Sequence, residues 1–148
     1  IGGGDVFLKR LLPIFKSSFF VPLFGDGMIK FQPVFIDDIS QAVQKIVEDQ
    51  IIGQSIYELA SPKILTYRQF YNHIAKCLGK TRVLVPIPLS VMKSIVGIAE
   101  KTPISPLTSE QLLLFEKDNV IQNIDKTFEN LSINPQDILQ ITKNIIVK

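Results

Sequence analysis

Few side chains in this sequence are of types that do chemistry. Asp37 and Asp38 are adjacent carboxylates, a pairing that general acid–base catalysis can use. They stand directly ahead of an apolar-periodic run, where a carboxylate accepts an orphan N–H and faces the positive end of the helix dipole. Capping is therefore the expected role of both. His73 is the sole histidine and Cys77 the sole cysteine, which nearly excludes a zinc site of the usual N/S composition. A Ser–His–Asp triad would have to recruit His73, and no nucleophile-elbow pattern supports one. His73 falls beside Gln69, Asn72 and Lys76 on the polar side of a predicted helix and reads as a solvated histidine. Cys77 falls on the apolar side and reads as an inert core thiol. Ile1-Gly2-Gly3-Gly4 is glycine-rich, but it lacks the preceding strand and the spacing of a G-x-G-x-x-G dinucleotide turn, so it reads as a loop between strand and helix. On these grounds no catalytic residue, cofactor-binding residue or metal ligand is expected in this chain.

The elements that would position these groups follow from periodicity. Residues 5–18 carry Phe7, Leu8, Leu11, Leu12 and Phe15 at helical spacing behind Asp5, with Pro13 expected to bend or break the helix. Residues 19–24 form an apolar run. Gly25-Asp26-Gly27 signals a turn, and residues 28–36 form a second extended run in which Pro33 suggests an edge or a bulge. After Asp37 and Asp38, the residues Ile39, Ala42, Val43, Ile46 and Val47 define a helix face. Residues 56–59 read as a short strand. Thr66 with Gln69 has capping-box spacing ahead of a helix faced by Tyr67, Phe70, Tyr71, Ile74 and Cys77. Residues 83–87 read as a strand and 89–101 as a strongly apolar helix, expected to pack on another domain. Thr108 with Gln111 repeats the capping spacing. A short helix is expected near 125–131, and a last one from Asn134-Pro135. Strands alternating with helices give an α/β class of the βαβ-derived kind, with short strands and several helices.

Composition narrows the function classes. The chain has 148 residues, a net charge of +2 and 46% hydrophobic residues, enough for one domain. No Lys/Arg cluster suggests nucleic acid. No apolar stretch approaches the roughly 20 residues needed to span a bilayer, and no signal peptide is visible. One cysteine allows no internal disulfide, which permits a reducing compartment. Starting with Ile1 rather than Met, the chain is expected to be a processed product or a piece of a longer protein.

Four segments in order carry a family resemblance: GGGDVF at 2–7, FGDGMIKFQPVFIDDISQAV at 24–43, YELASPKILTYRQFYNHIAKCLG at 57–79 and PLTSEQLLLFEKDNV at 106–120. Together they resemble the C-terminal part of an extended or atypical short-chain dehydrogenase/reductase. The branch they most resemble is that of the nucleotide-binding accessory subunit of respiratory complex I and its bacterial homologues. The resemblance implies that residues 1–148 are the C-terminal, substrate-side domain of a longer NAD(P)-binding Rossmann protein. Its glycine-rich phosphate loop and, in active members of the family, the Tyr-x-x-x-Lys pair would lie in an N-terminal half absent here. Tyr57, Tyr67 and Tyr71 are followed four residues later by Ser61, Tyr71 and Ala75, never by Lys.

Nucleotide-sugar epimerases resemble the segment around 31 too, but carry there an Arg suited to a substrate phosphate. Here that position corresponds to Phe31, with Lys30 and Gln32 beside it, which speaks against a nucleotide-sugar ligand. The resemblance thus points to Gly3, Lys30, Phe31 and Gln32 as cleft candidates, and to NADP(H) or NAD(H) as the cofactor of the whole protein, with none in this chain. It implies an inactive substrate-side or partner-docking piece, with the N-terminal Rossmann half and complex I subunits as partners. The expected location is cytoplasmic or peripheral at the inner membrane face. The other readings are the substrate domain of an active epimerase/dehydratase or reductase, and a non-catalytic interaction module. The run at 19–24 and the helix after Asp38 should leave an exposed apolar patch and promote self-association.

Overall fold

Asp5 starts the first helix, α1 (Val6–Ser17), where its Oδ1 accepts the Leu8 N–H at 2.7 Å. Leu8, Leu11 and Phe15 bury one face. Pro13 lies inside α1 without ending it. It sits on the exposed side, where water can take the Lys9 carbonyl that Pro13 leaves without a donor. In the computed structural model, residues 1–50, 55–99, 112–122 and 126–147 are described. The further elements are β1 (Phe20–Phe24), β2 (Lys30–Phe31), α2 (Ile36–Glu48), β3 (Leu65–Thr66), α3 (Tyr67–Cys77), β4 (Val83–Ile87), α4 (Leu89–Ala99), a 3-10 turn (Glu129–Leu131) and α5 (Ile138–Val147).

Two small sheets join distant segments. β1 pairs in parallel with β4, from Phe20 opposite Val83 to Phe24 opposite Ile87. β2 pairs antiparallel with β3. The class is the mixed α/β one expected. The main core joins Leu8, Leu11 and Phe15 of α1, Val21, Leu23 and Phe24 of β1, and Phe70, Tyr71 and Ile74 of α3, and extends to Val96, Leu112 and Ile138. A smaller cluster gathers Ala42, Phe128 and Leu131.

Several sequence expectations are corrected. Asp37 and Asp38 do not cap α2. The helix begins at Ile36, with Phe35 at the cap position and no side-chain cap. The Ile36 N–H donates instead to the Ile1 carbonyl at 2.9 Å, so the helix starts earlier than the acids and they fall within its first turn. Asp37 remains exposed there, suited to the dipole. Asp38 is buried, 1% exposed, and accepts from Gln136 N at 3.0 Å and Gln136 Nε2 at 3.3 Å. Residues 56–59 form no ladder; Glu58 N donates to Lys126 O while Tyr57 and Leu59 pack on the smaller cluster. α5 starts at Ile138 rather than near Pro135, because Asp137 Oδ1 accepts the Leu139 N–H at 2.9 Å and makes Asp137 the starting residue. Thr66 caps α3 reciprocally: its Oγ1 accepts Gln69 N–H at 3.1 Å, and Gln69 Oε1 accepts Thr66 N–H at 2.8 Å. Thr108 lies outside the described residues.

The run at 19–24 divides by register. Phe19 and Phe20 are exposed, whereas Val21, Leu23 and Phe24 are buried within this chain. Val43 and Val47 of α2 and Val91 and Ile95 of α4 are exposed, while Met92 and Val96 turn α4's other side into the core. Among the described residues no helix is long and apolar enough to cross a membrane.

Candidate functional site

The turn after β1 sets the site's frame. Gly25 and Gly27 have φ of +56° and +73°, a region open to glycine at little cost. The turn backbone is then gripped by α3: Arg68 N donates to Gly27 O at 2.9 Å, and Arg68 Nη2 to Asp26 O at 2.7 Å. The next anchor is Gln32. Its Nε2 donates to Ser61 O at 3.0 Å, its Oε1 accepts from Ile121 N at 2.8 Å, and its backbone N–H donates to Asn119 O at 3.1 Å. These bonds hold three chain segments together and fix the neighbouring Phe31 flat against Tyr67, with centroids 4.3 Å apart and planes 6° apart.

Around this pair lies a cavity of about 310 Å³. Its aromatic wall includes Phe24, Phe31, Tyr67, Phe70, Tyr71 and Phe115; α1 adds Leu11 and Ile14. Phe115 closes on Phe24 at 4.0 Å and on Tyr67 at 4.5 Å. The charged lining side chains are Asp5 and Arg10. Two phenols belong to the wall. Burial pushes the Tyr67 hydroxyl up to about 12, and burial together with the Tyr67 charge pushes Tyr71 higher still. Both are therefore neutral donors near pH 7 rather than bases for proton abstraction. The Tyr71 hydroxyl is enclosed and has no hydrogen-bond partner.

Of the four cleft candidates, only Phe31 lines the cavity. Gly3 is exposed and outside it, and no atom lies within 4 Å of where its Cβ would be. Lys30 is exposed and engages through its backbone, N–H to Asp118 Oδ1 at 2.8 Å and carbonyl to Asn119 N at 2.8 Å. Gln32 is a strut rather than a ligand contact. Tyr67, Phe70 and Tyr71 read in sequence simply as a helix's core face. Periodicity identified the face but had no means of showing that it borders a cavity.

His73 is half-buried, not solvated as its sequence position suggested. Its Nε2 lies 2.9 Å from Leu139 O and 3.3 Å from Cys77 Sγ, because α5 packs over that side of α3. A carbonyl only accepts, so Nε2 carries the proton. Burial raises the Cys77 thiol against the lowering effect of Lys143 and Lys76, which disfavours the nucleophilic thiolate. Among the described residues no group of three His, Cys, Asp or Glu could hold a metal.

The pyrophosphate of a nicotinamide dinucleotide commonly sits at a free helix N-terminus. The start of α1, behind the three glycines, already holds the Asp5 carboxylate, whose charge would repel a phosphate. This helix start does not fit a dinucleotide phosphate.

Comparison with known proteins agrees with the sequence resemblance. No family model matches the chain. It is 31% identical over 114 residues to the mitochondrial NADH-ubiquinone oxidoreductase 40 kDa subunit of Neurospora crassa, covering 76% of this chain and 30% of that subunit. It is 25% identical over 151 residues to the mitochondrial NADH dehydrogenase [ubiquinone] 1 alpha subcomplex subunit 9 of Arabidopsis thaliana, covering 93% and 37%. The chain thus spans about a third of the length of these curated relatives. Among solved structures, it matches a Citrobacter sp. triphenylmethane reductase complexed with NADP(H) at TM-score 0.70 and 15% identity, over 92% of this chain and 48% of that one. It matches a dTDP-4-dehydrorhamnose reductase from Bacillus anthracis in complex with NADP at TM-score 0.63 and 11% identity, over 99% and 44%. The chain is related in sequence to complex I subunits and shares the fold of part of Rossmann-type reductases.

Proposed function

We propose that this chain is the C-terminal, substrate-side part of an NAD(P)-binding, oxidoreductase-like protein of the complex I accessory type, and that it transfers no hydride alone. The observation that carries this reading is the 31% identity to a complex I subunit over most of this chain but under a third of that subunit. The acid at the start of α1 supports the second part. NADP(H) or NAD(H) then belongs to the remaining half of the protein, and this chain supplies one wall of the cleft around Phe31. Exposed Phe19, Phe20, Val43 and Val47 serve docking to that half or to complex I subunits peripheral to the membrane, and self-association when neither is present.

Two experiments test it. NADPH titrated into the 148-residue chain should show no binding at micromolar concentrations, and micromolar affinity would overturn the assignment of the cofactor to another half. In native gels of solubilised membranes from the source cells, the protein carrying this chain should migrate with NADH dehydrogenase activity. Migration only as a free species would remove the complex I assignment. The reading as part of an active reductase draws on the apolar cavity and the reductase fold; turnover of an NADPH-dependent carbonyl substrate by the whole protein would favour it.

A further inference from the structure

We propose that the cavity walled by Phe31, Tyr67 and Tyr71 binds a neutral, planar aromatic molecule of about two fused rings with one hydrogen-bond acceptor, to which the Tyr71 hydroxyl donates. This deepens the proposed function and rests on reading this chain as the ligand-side wall of a cleft.

Size comes first. A cavity of about 310 Å³ is at the small end of ligand pockets, which run roughly 300–1,000 Å³. That volume suits a small molecule. Charge comes next. Asp5 and Arg10 carry opposite signs, so the side chains that line the cavity sum to no net charge. Burying an uncompensated ionic ligand against the remaining apolar wall would be costly.

Shape follows from the rings. Phe31 and Tyr67 stack on each other within 6° of parallel, Phe24 and Phe115 meet at 37° between planes, and all four rings line the cavity. Flat rings gain most from offset or edge contacts with another aromatic plane. The acceptor is argued from Tyr71. Its hydroxyl is the one buried side-chain N or O among the described residues that lacks a partner, and an unmade bond of that kind is costly to leave. No polar bond holds the hydroxyl where it is, so only apolar packing has to yield for it to meet a ligand oxygen arriving from the cavity.

The test uses two probes of equal shape, 2-acetylnaphthalene, which carries a carbonyl acceptor, and 2-ethylnaphthalene, which carries none. Each is titrated calorimetrically into the 148-residue chain. Both should bind saturably at one site, the ketone about three- to tenfold tighter. Tyr71→Phe should bring the ketone to the hydrocarbon's affinity and leave the hydrocarbon unchanged. Ile14→Trp should fill the cavity and abolish both. Should that variant not fold, methyl resonances of Leu11, Ile14 and Met92 in the unaltered chain must shift with either probe. Absence of saturable binding, or binding that leaves those methyl groups unmoved, overturns the site. Equal affinity for the two probes, or a Tyr71→Phe chain that keeps the ketone preference, overturns the role of Tyr71. Loss of probe binding with retained migration beside NADH dehydrogenase sinks this inference alone. Probe binding without that migration sinks the complex I reading alone.

Discussion

Replacing Gln32 by Leu separates a strut from a ligand contact. The side chain makes two bonds between segments far apart in sequence, 3.0 Å to Ser61 O and 2.8 Å to Ile121 N. Ser61 is buried, 2% exposed, so its carbonyl would have little access to replacement water. Each neutral hydrogen bond contributes about 0.5–1.5 kcal/mol, and leaving a buried partner unsatisfied costs about 1–3 kcal/mol. Leucine is close in size and returns part of this through apolar contact, so the net loss should be about 2–4 kcal/mol. For a chain of this size that corresponds to a Tm lower by roughly 5–15 °C. The assay is thermal and urea unfolding followed by far-ultraviolet circular dichroism. Lys30→Ala is the matched control: its side chain is exposed and its bonds are made by the backbone, so its effect should stay within about 0.5 kcal/mol. A Gln32→Leu change as small as the control's would refute the strut, and with it the account of how Phe31 is held on Tyr67.

Three further outcomes are expected. Gly27→Ala should cost about 2–4 kcal/mol in urea unfolding, because it combines a positive φ with a Cβ placed 2.5 Å from Leu23 Cδ2; Gly25→Ala, with its nearest atom at 3.8 Å, should cost only the conformational part, about 1–2 kcal/mol, and equal losses would contradict the clash. Asp38→Ala should destabilise by about 1.5–3 kcal/mol, the range for bonds to a charged acceptor, and should speed amide exchange at the start of α5; unchanged exchange there would show that Gln136 is not what anchors the helix. The bond from Lys63 holds the Asp137 carboxyl below its usual range, so its contribution is present above about pH 3.9 and is lost as pH falls through the lower folded value; Lys63→Ala should flatten that acid limb in a Tm-against-pH series, more visibly at low salt, and identical limbs would remove the ion pair from the account.

Local rules in the sequence were reliable where the structure answers them locally. The Thr66–Gln69 capping box closes within one turn, so its spacing alone determines the geometry. Asp38 looked equally local and was not, because a carbonyl from Ile1, remote in sequence, satisfies the Ile36 N–H and lets α2 begin before the acids. The strands divide in the same way. β1 and β4 have five residues each and show as apolar runs, yet nothing in either run announces that they pair with each other in parallel. β3 has only two residues, and its identity as a strand resides in its bonds to Lys30 and Phe31. A ladder partner is a tertiary fact, so a segment defined only by its ladder is silent in sequence.

The site was hidden for a different reason. Searching for chemistry favours acids, histidines and cysteines, and here those residues cap, brace or lie under packing, while the concave surface is made by side chains that periodicity assigns to the core. That assignment is correct for Tyr71, Phe70 and Ile74, each 0% exposed; the first two also border the cavity, and helical spacing has no term for concavity. Position 31 links the two levels. The resemblance marked it as the place where a phosphate-pairing Arg is replaced by Phe, and the structure sets that Phe parallel to Tyr67 on the cavity wall. An Arg there could stack on Tyr67 equally well. It would, however, bring a full charge to a largely apolar wall, a cost that an anionic ligand would offset. With Phe31 the wall instead favours ligands without charge. The same residue that distinguishes this chain from the epimerase pattern therefore also determines which chemistry its cavity can accept.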